Sequence, residues 1–337
     1  MKGARCLVTG ATGAIGPGLV GALMQKGYAV QVLLRQTSFA DSLPNGVRII
    51  RGDLLDQRAL VRATSEMDTV FHLAAKLHIN NPGPSLKADF ERINVEATRQ
   101  LVKAAEDSGA KRFVYFSTIC VYGPSRPGQV LAETDACAPQ TFYARTKLEA
   151  EKLVLAARSK STGEPIGTVL RLAAVYGARM KGNYPRLVSA LRGHRFLPVG
   201  NGLNRRTLVH EQDAARAALL AAEHPNAVGQ IYNVTDGEIH SFNDILRAIC
   251  NALGRGVPRM HLPLKSARLL AGMLENSFQL VGRQSPLDRA AIARLVEDAA
   301  VSGEKIQGDL GFRPSFDLAA GWQQVLQHCG RFEPSSS

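Results

Sequence analysis

The chain has 337 residues, 45% of them hydrophobic but only 6% aromatic, so one large α/β domain with a smaller appended one can form, its core filled mainly by Ala, Leu and Val. The formal net charge is +12, yet Lys and Arg are spread without a basic tract or an aromatic-rich module, which argues for a solvated basic surface that attracts polyanionic ligands and against nucleic-acid binding. No uncharged apolar run of about 18 residues supplies a membrane span, and five scattered cysteines without a C-x-x-C pair exclude a disulfide framework and a zinc site.

Short apolar runs alternate with amphipathic segments through the first half, the pattern of βαβ units on a parallel sheet. Strands are expected over 6–8, 30–34, 47–50, 69–73 and 112–116, with long helices over 86–108 and 142–159 and a further strand over Gly167–Leu172. Helices over 211–223 and 241–253 follow among Gly- and Pro-containing loops. The expected architecture is a Rossmann-type doubly wound parallel sheet in residues 1–176, joined by strands returning from later segments. A smaller C-terminal α/β substrate lobe occupies 177–332, and 333–337 form a disordered tail. The first apolar strand begins directly after Arg5, which leaves no room for a signal peptide. With free thiols, this points to a cytoplasmic protein.

The first strand leads into Val8-Thr9-Gly10-Ala11-Thr12-Gly13-Ala14-Ile15-Gly16 and then a helix. Gly10 permits the tight turn, Gly13 lets the backbone approach a pyrophosphate, and Gly16 lets helix and strand pack closely. The unpaired N–H groups of the helix N-terminus then face phosphate, with Thr12, Ala14 and Ile15 beside it. The second strand ends at Arg35 with no Asp or Glu to bind a ribose 2′-hydroxyl. An Arg there is either a solvated side chain or a partner for the 2′-phosphate, which favours NADP(H) while leaving NAD(H) possible. Tyr143 and Lys147 stand four residues apart at the start of a helix and share a face. A neighbouring ammonium and an oxidised nicotinamide would both favour the phenolate, and a shift of about three units corresponds to about 4 kcal/mol.

The G-x-x-G-x-x-G spacing, the Tyr143/Lys147 pair and the preceding Ser117-Thr118-Ile119-Cys120-Val121-Tyr122-Gly123 together resemble the extended short-chain dehydrogenase/reductase superfamily, in its NAD(P)-dependent epimerase/dehydratase branch. The resemblance implies a catalytic Thr118, with Ser117 sharing its task, beside Tyr143 and Lys147. It implies adenine contact at Asp53 and Leu54, and cofactor packing against Leu73, Ala74 and Ala75, with His72 a packed strand residue. It places Lys76 on the substrate side. Asn94 is either a neighbour of the nicotinamide or a plain helix-surface residue. Asn183 and Arg206 match positions that hold the sugar or the diphosphate, and Arg206 suits bidentate contact. His210 and Asp213 match a structural His-x-x-Asp.

The Arg205-Arg206-Thr207-Leu208-Val209 stretch is similar to bacterial nucleotide-sugar 4-epimerases and 4-ketoreductases acting on UDP-sugars, although Leu172 and Ala174 stand where many relatives have Pro and Asn. The alternative, from Tyr232-Asn233-Val234-Thr235-Asp236-Gly237-Glu238, is a 3β-hydroxysteroid dehydrogenase-like or dihydroflavonol reductase-like enzyme. A non-catalytic cofactor-binding protein is a further alternative, which retention of both Tyr and Lys disfavours. The resemblance also implies a homodimer through a four-helix bundle built from the two long helices.

Overall fold

A computed structural model describes residues 3–77, 84–180, 182–280 and 289–329. Lys181 and the tail over 333–337 lie outside them. The first half builds strands β1 (Arg5–Thr9), β2 (Ala29–Leu34), β3 (Arg48–Arg51), β4 (Thr69–His72), β5 (Arg112–Thr118) and β6 (Gly167–Leu172). All are parallel, as expected for strands linked by crossover helices. The linking helices are α1 (Gly16–Gln25), α2 (Gln57–Thr64), α3 (Pro84–Phe90), α4 (Ala97–Asp107) and α5 (Phe142–Ala156). The helix expected over 86–108 is interrupted by a π-helical turn at Glu91–Glu96.

With β10 (Ile231–Val234) at one edge, the sheet order is β10-β6-β5-β4-β1-β2-β3. From β1 the chain builds outward to β3, then crosses back to place β4 on the other side of β1. The crevice beyond the carboxyl ends of β1 and β4 is therefore the topological switch point, where open α/β sheets bind ligands. Apolar clusters cover both faces of the sheet. One gathers α2, α4 and α5 around Leu7, Val70, Phe113 and Val169. The other packs α1 and α7 (Glu211–Glu223) over Val8, Val32, Val114 and Leu170. Six buried alanines of α7 allow its backbone to approach closely, which explains how a core poor in aromatic residues still fills its volume.

The strand β10 (Ile231–Val234) differs from the sequence reading, which took this stretch as part of a turn. It pairs in parallel with β6 at the sheet edge. Buried Asn233 interrupts the apolar run and hides the strand signal. Its Oδ1 accepts from the Tyr122 hydroxyl at 2.9 Å, and its N–H donates to Glu133 at 2.7 Å.

The C-terminal lobe contains β7 (Ala174–Tyr176), α6 (Asn183–Arg192), β8 (Arg205–Arg206), β9 (Leu208–His210), β11 (His240–Ser241), α8 (Phe242–Ala252), α9 (Leu264–Leu280), α10 (Arg289–Val296), α11 (Glu304–Leu310) and α12 (Leu318–Cys329). The core of the lobe centres on Trp322, stacked on Tyr176 with ring centroids 4.9 Å apart. Asp213 ties the chain end to α7 by accepting from the N–H groups of Ser315 and Phe316. The outward faces of α4 and α5 carry Arg99, Lys103, Arg145, Glu149 and Lys152, and among the described residues no large exposed apolar side chain lies on either helix.

His72 is fully buried at the end of β4. Thr98 donates to the carbonyl of Asn94, so its oxygen accepts from His72 Nε2 at 2.9 Å, and Nδ1 then accepts from Thr9 at 2.6 Å. Burial, seconded by the charge of Lys147, lowers the ring pKa from 6.5 to about 3. Between these values the unfolded chain binds a proton that the folded chain refuses, so acid favours unfolding. The melting temperature should fall from pH 7 to about pH 4.5, and the slope should flatten in His72→Gln, whose amide cannot titrate. Thermal melts across this range check the outcome, and an unchanged slope rejects it.

Candidate active site

The β1–α1 turn begins with Gly10 at φ +73°, where an added Cβ would lie 2.6 Å from the backbone nitrogen of Ala74. Only glycine permits both that backbone angle and the close approach of the two strand ends. A Cβ on Gly16 would sit 2.2 Å from the carbonyl oxygen of Ala11, so the helix and the turn also meet without a side chain between them. The first turn of α1 carries neither an acidic residue nor a side-chain cap, which leaves its N–H donors and positive dipole end available to an anion.

A cleft of about 700 Å³ opens over this turn. Gly10, Thr12, Gly13, Ala14 and Ile15 line it at the switch point. Arg35, Asp53 and Leu54 contribute from the β2 and β3 side, Leu73, Ala74, Ala75 and Lys76 from the β4 exit, and Ser117, Thr118, Tyr143 and Lys147 from the β5 side. Residues as far apart in sequence as Gly10 and Lys147 thus meet because the parallel strands all end on one side of the sheet. A glycine turn, a helix N-terminus and flanking apolar walls together fit an extended dinucleotide. Asp53 Oδ1 accepts from the Leu55 N–H at 2.9 Å, shaping the β3 exit loop. Arg51 donates to the carbonyls of Arg35 at 2.9 Å and Ser38 at 2.6 Å and so props the loop that presents Arg35.

Thr141 caps α5 by accepting from the Ala144 N–H at 3.1 Å. This starts the helix at Phe142, one residue before Tyr143. Lys147 is 1% exposed, donates to the carbonyl of Phe116 and lies 4.0 Å over the Tyr115 ring. Burial lowers its pKa from 10.5 to about 7, against the opposing charge of Glu151. Burial also raises the Tyr143 phenol above its ordinary value near 10. This reverses the direction expected from the sequence: the protein alone favours the neutral phenol, since the same desolvation that lifts the tyrosine weakens the ammonium beside it.

Thr118 and Ser117 make different hydrogen bonds. Thr118 accepts from the Cys120 N–H at 3.2 Å, which keeps its own proton for donation. Ser117 donates instead to the carboxylate of Glu151. Glu151 pairs with Arg171 through bonds of 3.2, 3.1 and 2.7 Å, both side chains almost fully buried. The sequence reading missed this pair, although two signals were present. Glu151 continues the Tyr143–Lys147 face by one more turn. Arg171 is the lone cation of a wholly buried strand, which demands a carboxylate partner.

Asn94 does not line the cleft, nor is it a plain surface residue. It is buried in the π-helical turn, accepts from the Lys76 N–H at 2.8 Å, and donates to the Lys76 carbonyl at 3.2 Å and to Thr146 at 3.1 Å. It thereby ties the β4 exit to α5. The ammonium of Lys76 is held by Asp89. The two remaining substrate candidates lie outside the cleft lining. Asn183 is exposed at the start of α6, and Arg206 in β8 donates to the carbonyl of Leu295 at 3.2 Å. Apolar residues that the sequence did not single out, Leu77, Ile93, Val175 and Met180, line the cleft instead.

Comparison with known proteins agrees with this geometry. The family model for the NAD dependent epimerase/dehydratase family matches residues 6–235. Short-chain dehydrogenase/reductase family 42E member 1 of Mus musculus is 31% identical, covering 95% of this chain and 86% of its own. A 3 beta-hydroxysteroid dehydrogenase/Delta 5-->4-isomerase of Mycobacterium tuberculosis is 28% identical over 96% of this chain and 89% of its own. The solved structure of MoeE5 with UDP-glucuronic acid and NAD superposes with a TM-score of 0.75 at 27% identity, covering 97% of this chain and 99% of that one. With a family model matched over most of its length and a dinucleotide cleft at the switch point of its sheet, the chain is an NAD-dependent enzyme that belongs to the NAD dependent epimerase/dehydratase family.

Proposed function

We propose that the protein oxidises or reduces an alcohol- or ketone-bearing carbon, with Tyr143 as proton donor and acceptor. The observation that carries this reading is that Thr118, Tyr143 and Lys147 open onto the same cleft as the glycine turn. The nicotinamide, when bound, supplies or takes the hydride, and its oxidised form adds a positive charge to that of Lys147. Thr118 donates a hydrogen bond to the reacting oxygen. Tyr143 passes it a proton in reduction and removes one in oxidation. Asn94 and the Glu151–Arg171 pair keep the β4 exit, β5 and α5 in register. A purely cofactor-binding role fits less well, because both proton-handling side chains stand in the cleft. A homodimer through α4 and α5 belongs to the same proposal, and their charged outer faces would hold it by ion pairs rather than an apolar seam.

For the substrate we infer a nucleotide sugar, UDP-linked, that is epimerised or reduced at a carbon bearing oxygen. The relative MoeE5 accommodates UDP-glucuronic acid. The stretch 178–210, which contains Arg206, has seven Lys and Arg and no acidic residue, a field that attracts diphosphate. A second reading, an apolar alcohol or ketone, draws support from the apolar cleft wall, from the position of Asn183 and Arg206 outside it, and from the steroid dehydrogenase among the relatives.

Three outcomes test these readings. Tyr143→Phe removes only the exchangeable proton and should lower turnover at least about 100-fold with little change in cofactor affinity; near wild-type turnover would place the proton donor elsewhere. Arg35 and the absence of an acidic residue at the end of β2 lead us to propose tighter binding of NADP(H) than NAD(H), reversed in Arg35→Asp. Calorimetric titration of both cofactors decides this, and equal or tighter NAD(H) binding removes the preference. Arg206→Ala should weaken UDP binding to the cofactor-loaded protein roughly ten- to a hundredfold, as a lost charged hydrogen bond of about 1.5–3 kcal/mol requires. If the wild type fails to bind UDP at all, the apolar substrate is favoured.

A further inference from the structure

The net charge of the chain is not evenly distributed. Besides 178–210, the stretch 251–274 carries Arg255, Arg259, Lys265 and Arg268 without one acidic residue. The fold brings these two acid-free stretches together. Leu262 donates its N–H to the carbonyl of Pro198 at 2.8 Å, and Gly200 donates to the carbonyl of Leu262 at 2.9 Å. A shallow hollow of about 450 Å³ beside this pairing is lined by both stretches, among them Arg195, Phe196, Leu197, Arg259 and Met260.

The same segment runs directly into α9. Ala267 and Ala271 anchor the inner face of this helix, packed in one cluster with Ile292, Val199 and Leu262. The adjoining face presents Leu269 (62% exposed), Leu270, Met273 (56% exposed) and Leu274 to solvent. At 100° per residue these four fall within an arc of about 140°, so they form one stripe rather than scattered exposures. Lys265 lies one turn before Leu269 on the flank of the stripe, and Met260 (76% exposed) and Leu197 extend the apolar surface toward the paired segments. A contiguous apolar stripe rimmed by polar residues marks an interaction surface. Here the rim includes Arg259, Lys265 and Arg268, with Glu275 following the stripe on α9.

From this juxtaposition we propose that α9 and the paired 194–200 and 257–264 segments form a docking surface for an anionic lipid bilayer, with the α9 stripe lying at the headgroup level and the surrounding arginines and lysines against lipid phosphates. An amphipathic helix with a cationic flank and Leu or Met on the other face binds in this way, in the plane of the interface. A neutral apolar partner would leave the concentrated positive charge uncompensated, and a soluble polyanion would leave the stripe in water. A bilayer with acidic headgroups satisfies both. No helix among the described residues is long and apolar enough to cross a membrane, so the contact is with one leaflet. The inference does not depend on which substrate the cleft takes.

The test is co-sedimentation of the full chain with vesicles of phosphatidylcholine alone and of phosphatidylcholine mixed with phosphatidylglycerol. Wild type should pellet with the mixed vesicles, remain in solution with the neutral ones, and be released as salt rises. One cation near an anionic leaflet is worth about fivefold in binding, so Arg259→Gln with Arg268→Gln should weaken it by at least about tenfold. Leu270→Ser with Met273→Ser should weaken it comparably while unchanged vesicle-free turnover and circular dichroism show that the fold persists. Equal partition of wild type between mixed and neutral vesicles, or binding indifferent to both double variants, overturns the proposal. So does a wild type that stays in solution with mixed vesicles and sediments as an oligomer that Leu270→Ser/Met273→Ser dissociates, because the stripe is then covered by a second copy of the chain.

Discussion

The backbone of Ala74 presses on Gly10 so closely that no side chain fits between them, and the rest of the site depends on this contact. It brings the exits of β1 and β4 together at the point where the strand order reverses. The glycine turn and the N-terminus of α1 are thereby aimed into the same space as the loop that Asn94 clasps. A side chain at Gly10 would push the β4 exit away and, through the hydrogen bonds of Asn94 to Lys76 and Thr146, disturb α5 as well. Cofactor geometry and proton chemistry are therefore mechanically linked through one side-chain-free contact.

Charge at the α5 end is organised by burial. Tyr143, Lys147 and Glu151 descend the same helix face from the cleft into the core, and Arg171 closes the series. The lower pair is fully desolvated and mutually neutralising, a costly arrangement to break and one that holds β5, β6 and α5 in a fixed relation. Above it, burial lowers the Lys147 pKa to about 7, against the opposing charge of Glu151.

In the Rossmann half several cations are paired with local acids, as in Lys103–Asp107 and Lys111–Asp68. In the C-terminal lobe the two acid-free stretches concentrate positive charge locally, although Arg205 pairs with Asp298. A field of that sign draws anions toward the cleft from one side and toward α9 from the other.

The sequence by itself determined the parallel sheet, because strands buried on both faces must be apolar runs and crossover helices must be amphipathic. It determined the glycine turn and the Tyr143–Lys147 face, because tight turns and helical periodicity are local properties of the chain. It did not reveal β10, where Asn233 interrupts the apolar run and its partners Tyr122 and Glu133 lie more than 90 residues away. Nor did it distinguish Ser117 from Thr118, since adjacent strand residues point to opposite faces and only tertiary packing places Glu151 beneath one of them. The direction of the Tyr143 shift, the withdrawal of Arg206 from the cleft and the meeting of two acid-free stretches at one surface were likewise decided by the tertiary structure. Desolvation and field strength depend on what surrounds a group in space, and the linear sequence does not carry that information.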